Sequence, residues 1–271
     1  SSNWLIFLVI FVVAKIGYQA SLIFYDSMLS DITDEERMDY VSSQGYAWGY
    51  IGSCVPFVLC LVIVLGSDPL GIRMETAMGI AFVLVAVWWL LMSLPLLKNY
   101  EQKYYVEKKP HAIAQSFKRL GETFKNMKEE KQVFMFLLAF FFYIDGVYTI
   151  IDMATAYGSA LGLDSTGLLL ALLVTQIVAF PCAIIFGNLS YRIRTEKLII
   201  VCIVAYLGIA IFAVFLKTQL QFWILAILVG MFQGGIQALS RSYFTKIIPE
   251  EHSGEYFGLM DICGKGASFV G

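Results

Sequence analysis

Charge is the scarce commodity of this 271-residue chain: Asp, Glu, Lys and Arg together make up 15% of it and only two histidines are present, His111 and His252. Soluble domains carry about 25% charged residues, so a water-exposed globular surface is excluded. The formal net charge of −2 by itself carries no message about nucleic acid, because distribution matters more than the sum, and no basic nucleic-acid face is visible. The five cysteines, Cys54, Cys60, Cys182, Cys202 and Cys263, are scattered without a C-x-x-C pair, and the histidines stand far apart in loops. A disulfide framework and a metal site are therefore not expected, and no cofactor is implied. The chain opens without Met and closes in apolar sequence at Gly271, which reads as a piece of something longer.

What is abundant is apolar sequence, at 59% of residues with a mean hydropathy of +0.73. Long continuous runs recur over Trp4 to Leu29, Ala47 to Leu65, Met74 to Leu97, Gln132 to Ser159, Gly167 to Leu189, Leu198 to Leu216 and Gln221 to Lys246, and an eighth begins at Tyr256. About 20 residues at 1.5 Å rise match a hydrocarbon core of ~30 Å. Continuous rather than alternating apolarity selects helices over a barrel. The expected fold is all-α, a polytopic transmembrane bundle with seven full spans and part of an eighth.

Orientation follows from the basic residues. Arg37, nine Lys and Arg between Lys98 and Lys131, then Arg192, Arg194 and Lys197, and finally Arg241 and Lys246 fall in alternate loops, fifteen in all. The intervening loops hold Arg73 and Lys217. The positive-inside rule places the fifteen in the cytoplasm. The polar stretch 98–131, with Ala112, Ala114, Phe117, Leu120 and Phe124 at helical spacing, reads as a basic amphipathic linker on the membrane surface. It divides the chain into 1–97, part of an N-terminal helical half, and 132–271, part of a C-terminal one.

Ionisable groups at bilayer depth are costly unless they face a bundle interior or a wet cavity. Asp145 and Asp152 lie two turns apart on one face of the fourth span, with Tyr148, Thr149 and Thr155 on the same stripe. They are candidates for cation binding, proton relay or holding an amine; neutralisation by a neighbouring helix is the structural alternative. Gln233 and Gln237 on the seventh span can hydrogen-bond a polar solute, and Arg241 is expected at the cytoplasmic end of that span. Gln176 on the fifth span is a weaker candidate. Lys265, at i+4 from Asp261, can be half of a structural pair or part of a solute and proton pathway. Lys15 is the better candidate on the first span, where Asp26 reads as solvated near the interface. Small residues at Gly45, Gly49 and Gly52, with Trp48 and Tyr50 pointing elsewhere, and at Gly230 and Gly234, read as helix-packing faces.

Three stretches carry a resemblance: Ser42-Ser43-Gln44-Gly45-Tyr46-Ala47-Trp48-Gly49-Tyr50-Ile51-Gly52, Asp145-Gly146-Val147 leading to Ile151-Asp152-Met153-Ala154-Thr155-Ala156-Tyr157, and Gln233-Gly234-Gly235-Ile236-Gln237-Ala238-Leu239-Ser240-Arg241-Ser242. They resemble the autophagy-related vacuolar effluxer family and its bacterial relatives, a branch of the major facilitator superfamily (MFS). The resemblance implies twelve helices in the whole protein, of which this chain holds the fourth to the eleventh. It implies a cytoplasmic loop motif at Gly187, Arg192 and Lys197, in which Tyr191 and Arg194 replace an expected Asp and Gly. The implied activity is secondary active transport of a small solute, with amino acids the substrate class; Asp145 or Asp152 is the expected proton acceptor if transport is coupled to protons. The implied location is the plasma membrane of a bacterium or the vacuolar membrane of a fungus.

Two other classes fit parts of the pattern. A seven-helix receptor with a chromophore lysine meets an obstacle in Lys265, which belongs to the eighth segment. An intramembrane enzyme needs aspartates on neighbouring spans or a Ser and His pair, whereas Asp145 and Asp152 share one helix. No enzyme activity is therefore expected.

Overall fold

A computed structural model describes residues 4–69, 71–104, 121 and 130–270, with the side chains of 267–270 excepted. Among the described residues all regular structure is helical: α1 (Trp4–Ser27), the single turn α2 (Leu29–Ile32), α3 (Met38–Leu65), α4 (Met74–Asn99), α5 (Lys131–Ala160), α6 (Ser165–Leu189), α7 (Thr195–Val214), α8 (Gln219–Ile247) and α9 (Ser253–Val270). Among the described residues seven spans are long and apolar enough to cross a membrane, from Trp4–Ile32 to Gln219–Ile247, in agreement with the hydropathy pattern. The amphipathic linker helix expected around Ala112 to Phe124 lies outside the described residues.

The largest departure from the hydropathy reading is α3. It starts at Met38 rather than near Ala47, because the nine residues Met38–Tyr46 include Asp39, Ser42, Ser43 and Gln44 and lower the mean hydropathy. Asp39, Ser42 and Ser43 are nevertheless buried. Hydropathy finds residues that prefer lipid; it misses helix that is buried by protein. The turn after α5 is set by Gly162, whose φ of +73° suits glycine, and Asp164 caps α6 by accepting a hydrogen bond from the Gly167 N–H at 2.6 Å. Three of the six prolines, Pro56, Pro95 and Pro181, sit inside span helices, where neighbouring helices and local adjustments accommodate the missing donor.

The described chain separates into two compact units. One comprises 1–38, 102–146 and 240–271; the other comprises 39–101 and 147–239. The first is built on an aromatic ladder. Phe136 and Phe140 of α5 stack at 5.9 Å, Phe136 meets Tyr243 and Phe244 of α8 at 5.2 and 5.5 Å, and Phe244 meets Phe257 of α9 edge-on at 5.3 Å. Such pairs add about 0.5–1.5 kcal/mol each beyond their burial. In the same unit α1 lies against α9, yet no residue of α1 is fully buried.

The second unit centres on an apolar cluster of Leu168 and Ala171 from α6, Ile209 from α7, and Phe222, Leu225, Ala226 and Val229 from α8. A smaller cluster joins Ala47 and Tyr50 of α3 to Ala179 and Ala183 of α6. Helix approach here depends on glycine. A Cβ on Gly230 would sit 2.7 Å from the Thr175 carbonyl oxygen, and one on Gly234 would sit 2.7 Å from the Ala183 Cβ. Thr175 uses the close approach to donate from Oγ1 to the Ala226 carbonyl at 3.2 Å, besides its own-helix bond to Ala171 at 3.0 Å. By contrast α4 buries only Ala77.

Candidate functional site

The polar residues singled out in the sequence fall into different surroundings. Gln237 of α8 is half-buried, and its Oε1 accepts a hydrogen bond from the Tyr50 hydroxyl of α3 at 2.5 Å. Gln233, one turn earlier, is 6% exposed. Asp145 of α5 is half-buried, with Oδ1 enclosed and unbonded within the described chain. Asp152, seven residues on, is exposed, as is Thr149, while Tyr148 and Thr155 are half-buried. The stripe is continuous along the helix, but enclosure is not.

Lys265 pairs with Asp261 one turn earlier on α9. Lys15 is exposed on α1, with its ammonium 5.6 Å from the centre of the Tyr18 ring. Gln176 is half-buried on α6.

The two glycine faces differ. Gly230 and Gly234 make the close approaches described above, and Gly235 is pressed against the Phe186 ring, 2.6 Å from a would-be Cβ. On α3 a Cβ at Gly49 or Gly52 would meet nothing within 4 Å, and Gly45 is half-buried. The side of α3 that packs is the one carrying Ser43, Ala47 and Tyr50, so the expectation that Gly49 and Gly52 form a packing face is corrected, and Tyr50 lies on a different side of the helix from them. Trp48, expected to do the same, lies 5.6 Å from the Phe180 ring of α6. The bulky polar residue is drawn in because Gln237 satisfies its hydroxyl, which hydropathy does not register.

Around the loop motif, Gly187 is buried and a Cβ there would meet the Ser43 Cβ at 2.7 Å, so its smallness lets α6 close on α3. Arg192 and Lys197 are exposed. At the start of α7 the Thr195 hydroxyl donates to Asp39 Oδ2 of α3 at 2.6 Å, and further along α3 Ser42 donates to the Ala238 carbonyl of α8 at 2.7 Å. These bonds hold the N-terminal end of α3 to the N-terminal end of α7 and to the C-terminal part of α8.

Arg241 lies in the C-terminal turns of α8, where its side chain is 6% exposed and Nη1 donates to Asp26 Oδ1 at 3.2 Å. Asp26 is accordingly a partner in an ion pair rather than a merely solvated carboxylate. The Tyr25 ring lies 5.2 Å from the guanidinium carbon, a cation–π contact that favours a desolvated arginine. The sequence signal was present, since an acidic and a basic residue lie near the same ends of two spans, but 215 residues separate them. Nearby, Tyr143 of α5 and Ser240 of α8 share a hydrogen bond at 2.7 Å.

The linker is tied at both ends within this unit. Backbone N–H groups of Lys103 and Tyr104 donate to Asp31 Oδ1 at 3.0 and 2.9 Å, and the Tyr256 hydroxyl donates to Glu130 at 2.9 Å. The Tyr104 phenol is held above the usual tyrosine range by its hydrogen bond to Glu250 and by that carboxylate's charge.

Comparison with known proteins gives the geometry a family. A family model described as Vacuole effluxer Atg22 like matches residues 1–271. The chain is 46% identical over 273 residues to an uncharacterized MFS-type transporter, YxiO, of Bacillus subtilis (strain 168), an overlap of 100% of this chain and 64% of that protein. It is 22% identical over 257 residues to Autophagy-related protein 22-1 of Aspergillus niger, covering 85% of this chain and 41% of the relative. With Autophagy-related protein 22 of Kluyveromyces lactis the identity is 24% over 257 residues, covering 87% and 51%. The chain thus spans less than two thirds of each of these relatives. No solved structure matches. With span-length helices throughout and a family match along its whole length, the chain belongs to the Atg22-like vacuole effluxer family of MFS-type integral membrane proteins.

Proposed function

We propose that the protein containing this chain is a secondary active transporter that moves a small solute across its membrane by alternating access, with residues 1–97 and 132–271 belonging to two halves that rock about a site near the midplane. Relatives named as an MFS-type transporter and as vacuole effluxers support the transport class. The observation that carries the mechanism is the chemistry joining the two segments. Within one unit it is the Asp26–Arg241 ion pair; within the other it is Tyr50–Gln237, Ser42–Ala238 and Asp39–Thr195. Each of these links is polar and local, and water can replace either partner when the helices part. Apolar contacts of Ala47 and Tyr50 with Ala179 and Ala183, and of Trp48 with Phe180, stand beside these polar links.

In this reading Asp145, Asp152, Gln233 and Gln237 line the solute and proton pathway, with Lys265 and Lys15 as further members. Gly230, Gly234 and Gly187 allow the helices to close, and amino acids are the first substrate class to test. A carboxylate that gives up its ion hydration at bilayer depth can take up and release a proton as its surroundings alternate between dry and wet. The test is uptake by vesicles containing the full-length protein, challenged with an amino-acid panel under an imposed proton gradient. Asp145→Asn and Asp152→Asn are expected to abolish the pH dependence of uptake. An unchanged rate and pH profile in both variants would remove the coupling role.

A further inference from the structure

One side of α7 joins an apolar stripe to a basic end, and transport as described above uses neither. The helix buries Leu198, Cys202, Tyr206 and Ile209 within the second unit. Its opposite side carries Lys197, Val201, Val204, Gly208 and Ile211. At about 100° per residue these five stay within about 40° of one line along the helix. Val201, Val204 and Ile211 are each more than half exposed, as are the flanking Ile200 and Leu207. A Cβ on Gly208 would meet nothing within 4 Å, so the stripe has a shallow notch there. Because α7 is long and apolar enough to span a membrane, this face belongs against acyl chains rather than water.

Charge begins where the stripe ends. The turn between α6 and α7 holds Arg192, Arg194 and Lys197 against the single acid Glu196, and Glu196 is already paired with Arg194 at 2.8 Å. Arg192 and Lys197 are exposed, and neither has a carboxylate partner among the described residues. Tyr191 beside them is also exposed, and an amphipathic ring of this kind settles at headgroup level. The dimensions match one leaflet. Eleven residues separate Lys197 from Gly208, about 16 Å at 1.5 Å each, and half of a ~30 Å hydrocarbon core is ~15 Å.

We propose that Arg192 and Lys197 hold the headgroup of an anionic phospholipid whose acyl chain lies along Val201, Val204 and the Gly208 notch. The unpaired positive charge selects the headgroup, since one Lys or Arg near the membrane surface favours an anionic lipid by about fivefold, the equivalent of ~1 kcal/mol. The apolar stripe selects a molecule with a chain, which a free phosphate lacks. This site stands whether or not the protein transports an amino acid.

The experiment uses the full-length protein in mixed vesicles of phosphatidylcholine and phosphatidylglycerol, with brominated acyl chains on one lipid or the other to quench tryptophan on contact. Val204→Trp places a reporter on the stripe, and its added fluorescence is read against the parent. Phosphatidylglycerol is expected to be favoured at the reporter by about fivefold or more. Adding Arg192→Gln and Lys197→Gln together is expected to bring that preference near unity. Lys217→Gln, beyond the other end of α7, is expected to leave it unchanged. All three charge positions are exposed, so these variants should fold. Should Val204→Trp fail to accumulate, Ile200→Trp carries the same measurement.

Equal quenching by the two lipids with Arg192 and Lys197 intact overturns the site, as does a preference that survives their joint replacement. Absence of quenching by either lipid overturns it too, because the stripe is then covered by protein, whether a second copy or another part of the full-length chain.

Discussion

Replacing Gly230 by alanine adds a single methyl group at the tightest backbone approach between α6 and α8. The new Cβ would stand 2.7 Å from the Thr175 carbonyl oxygen, 3.1 Å from the Val178 Cβ and 3.3 Å from the Thr175 Cα. The first of these is a main-chain atom inside a helix and cannot swing aside, so the helices must separate by several tenths of an ångström. That movement also stretches the Thr175–Ala226 hydrogen bond, already 3.2 Å long. Overpacking of this kind costs about 1–3 kcal/mol, while Gly→Ala within a helix returns about 0.5–1 kcal/mol. The net expectation is a loss of up to about 2.5 kcal/mol. Gly208, mid-way along α7, provides the control because a Cβ there meets nothing within 4 Å. Gly208→Ala should therefore hold or raise stability by the propensity gain alone. Thermal unfolding of both full-length variants in one detergent measures the difference, which isolates the packing term. A Gly230→Ala protein as stable as Gly208→Ala would refute the claim that glycine is needed for this helix approach.

Tyr50→Phe removes the hydroxyl that bonds Gln237 and keeps the ring against Ala179 and Ala183; stability should fall by about 0.5–1.5 kcal/mol, read by the same unfolding assay, and an unchanged midpoint would mean that water or another donor replaces the phenol. Asp31→Ala deprives the Lys103 and Tyr104 amides of their carboxylate acceptor. Tryptic cleavage after Lys103 in inside-out vesicles should then become several-fold faster, since cleavage follows the population of the released segment, and an equal rate would show that the anchor is redundant.

Much of the fold was legible from residues alone, and α5 shows why. Its apolar run is long, its ends are polar, and lipid rewards every apolar side chain regardless of what lies next to it. The start of α3 shows the converse. Asp39, Ser42 and Ser43 are buried against α6, α7 and α8, a surrounding that no property of the segment itself announces. The glycine faces divide in the same way, since Gly230 and Gly49 are indistinguishable by spacing and only the partner helix decides which one is pressed.

The sequence by itself determined the helical class, the number and approximate limits of the spans and the family, because these depend on hydropathy and motif order, all local or additive along the chain. Only the tertiary structure decided that Arg241 neutralises Asp26 across 215 residues, that Tyr50 turns inward to Gln237, and that Asp145 is half-enclosed while Asp152 is exposed. Pairing of polar groups is a property of distance in space, and a periodic helix specifies which face a residue occupies without naming what that face will meet.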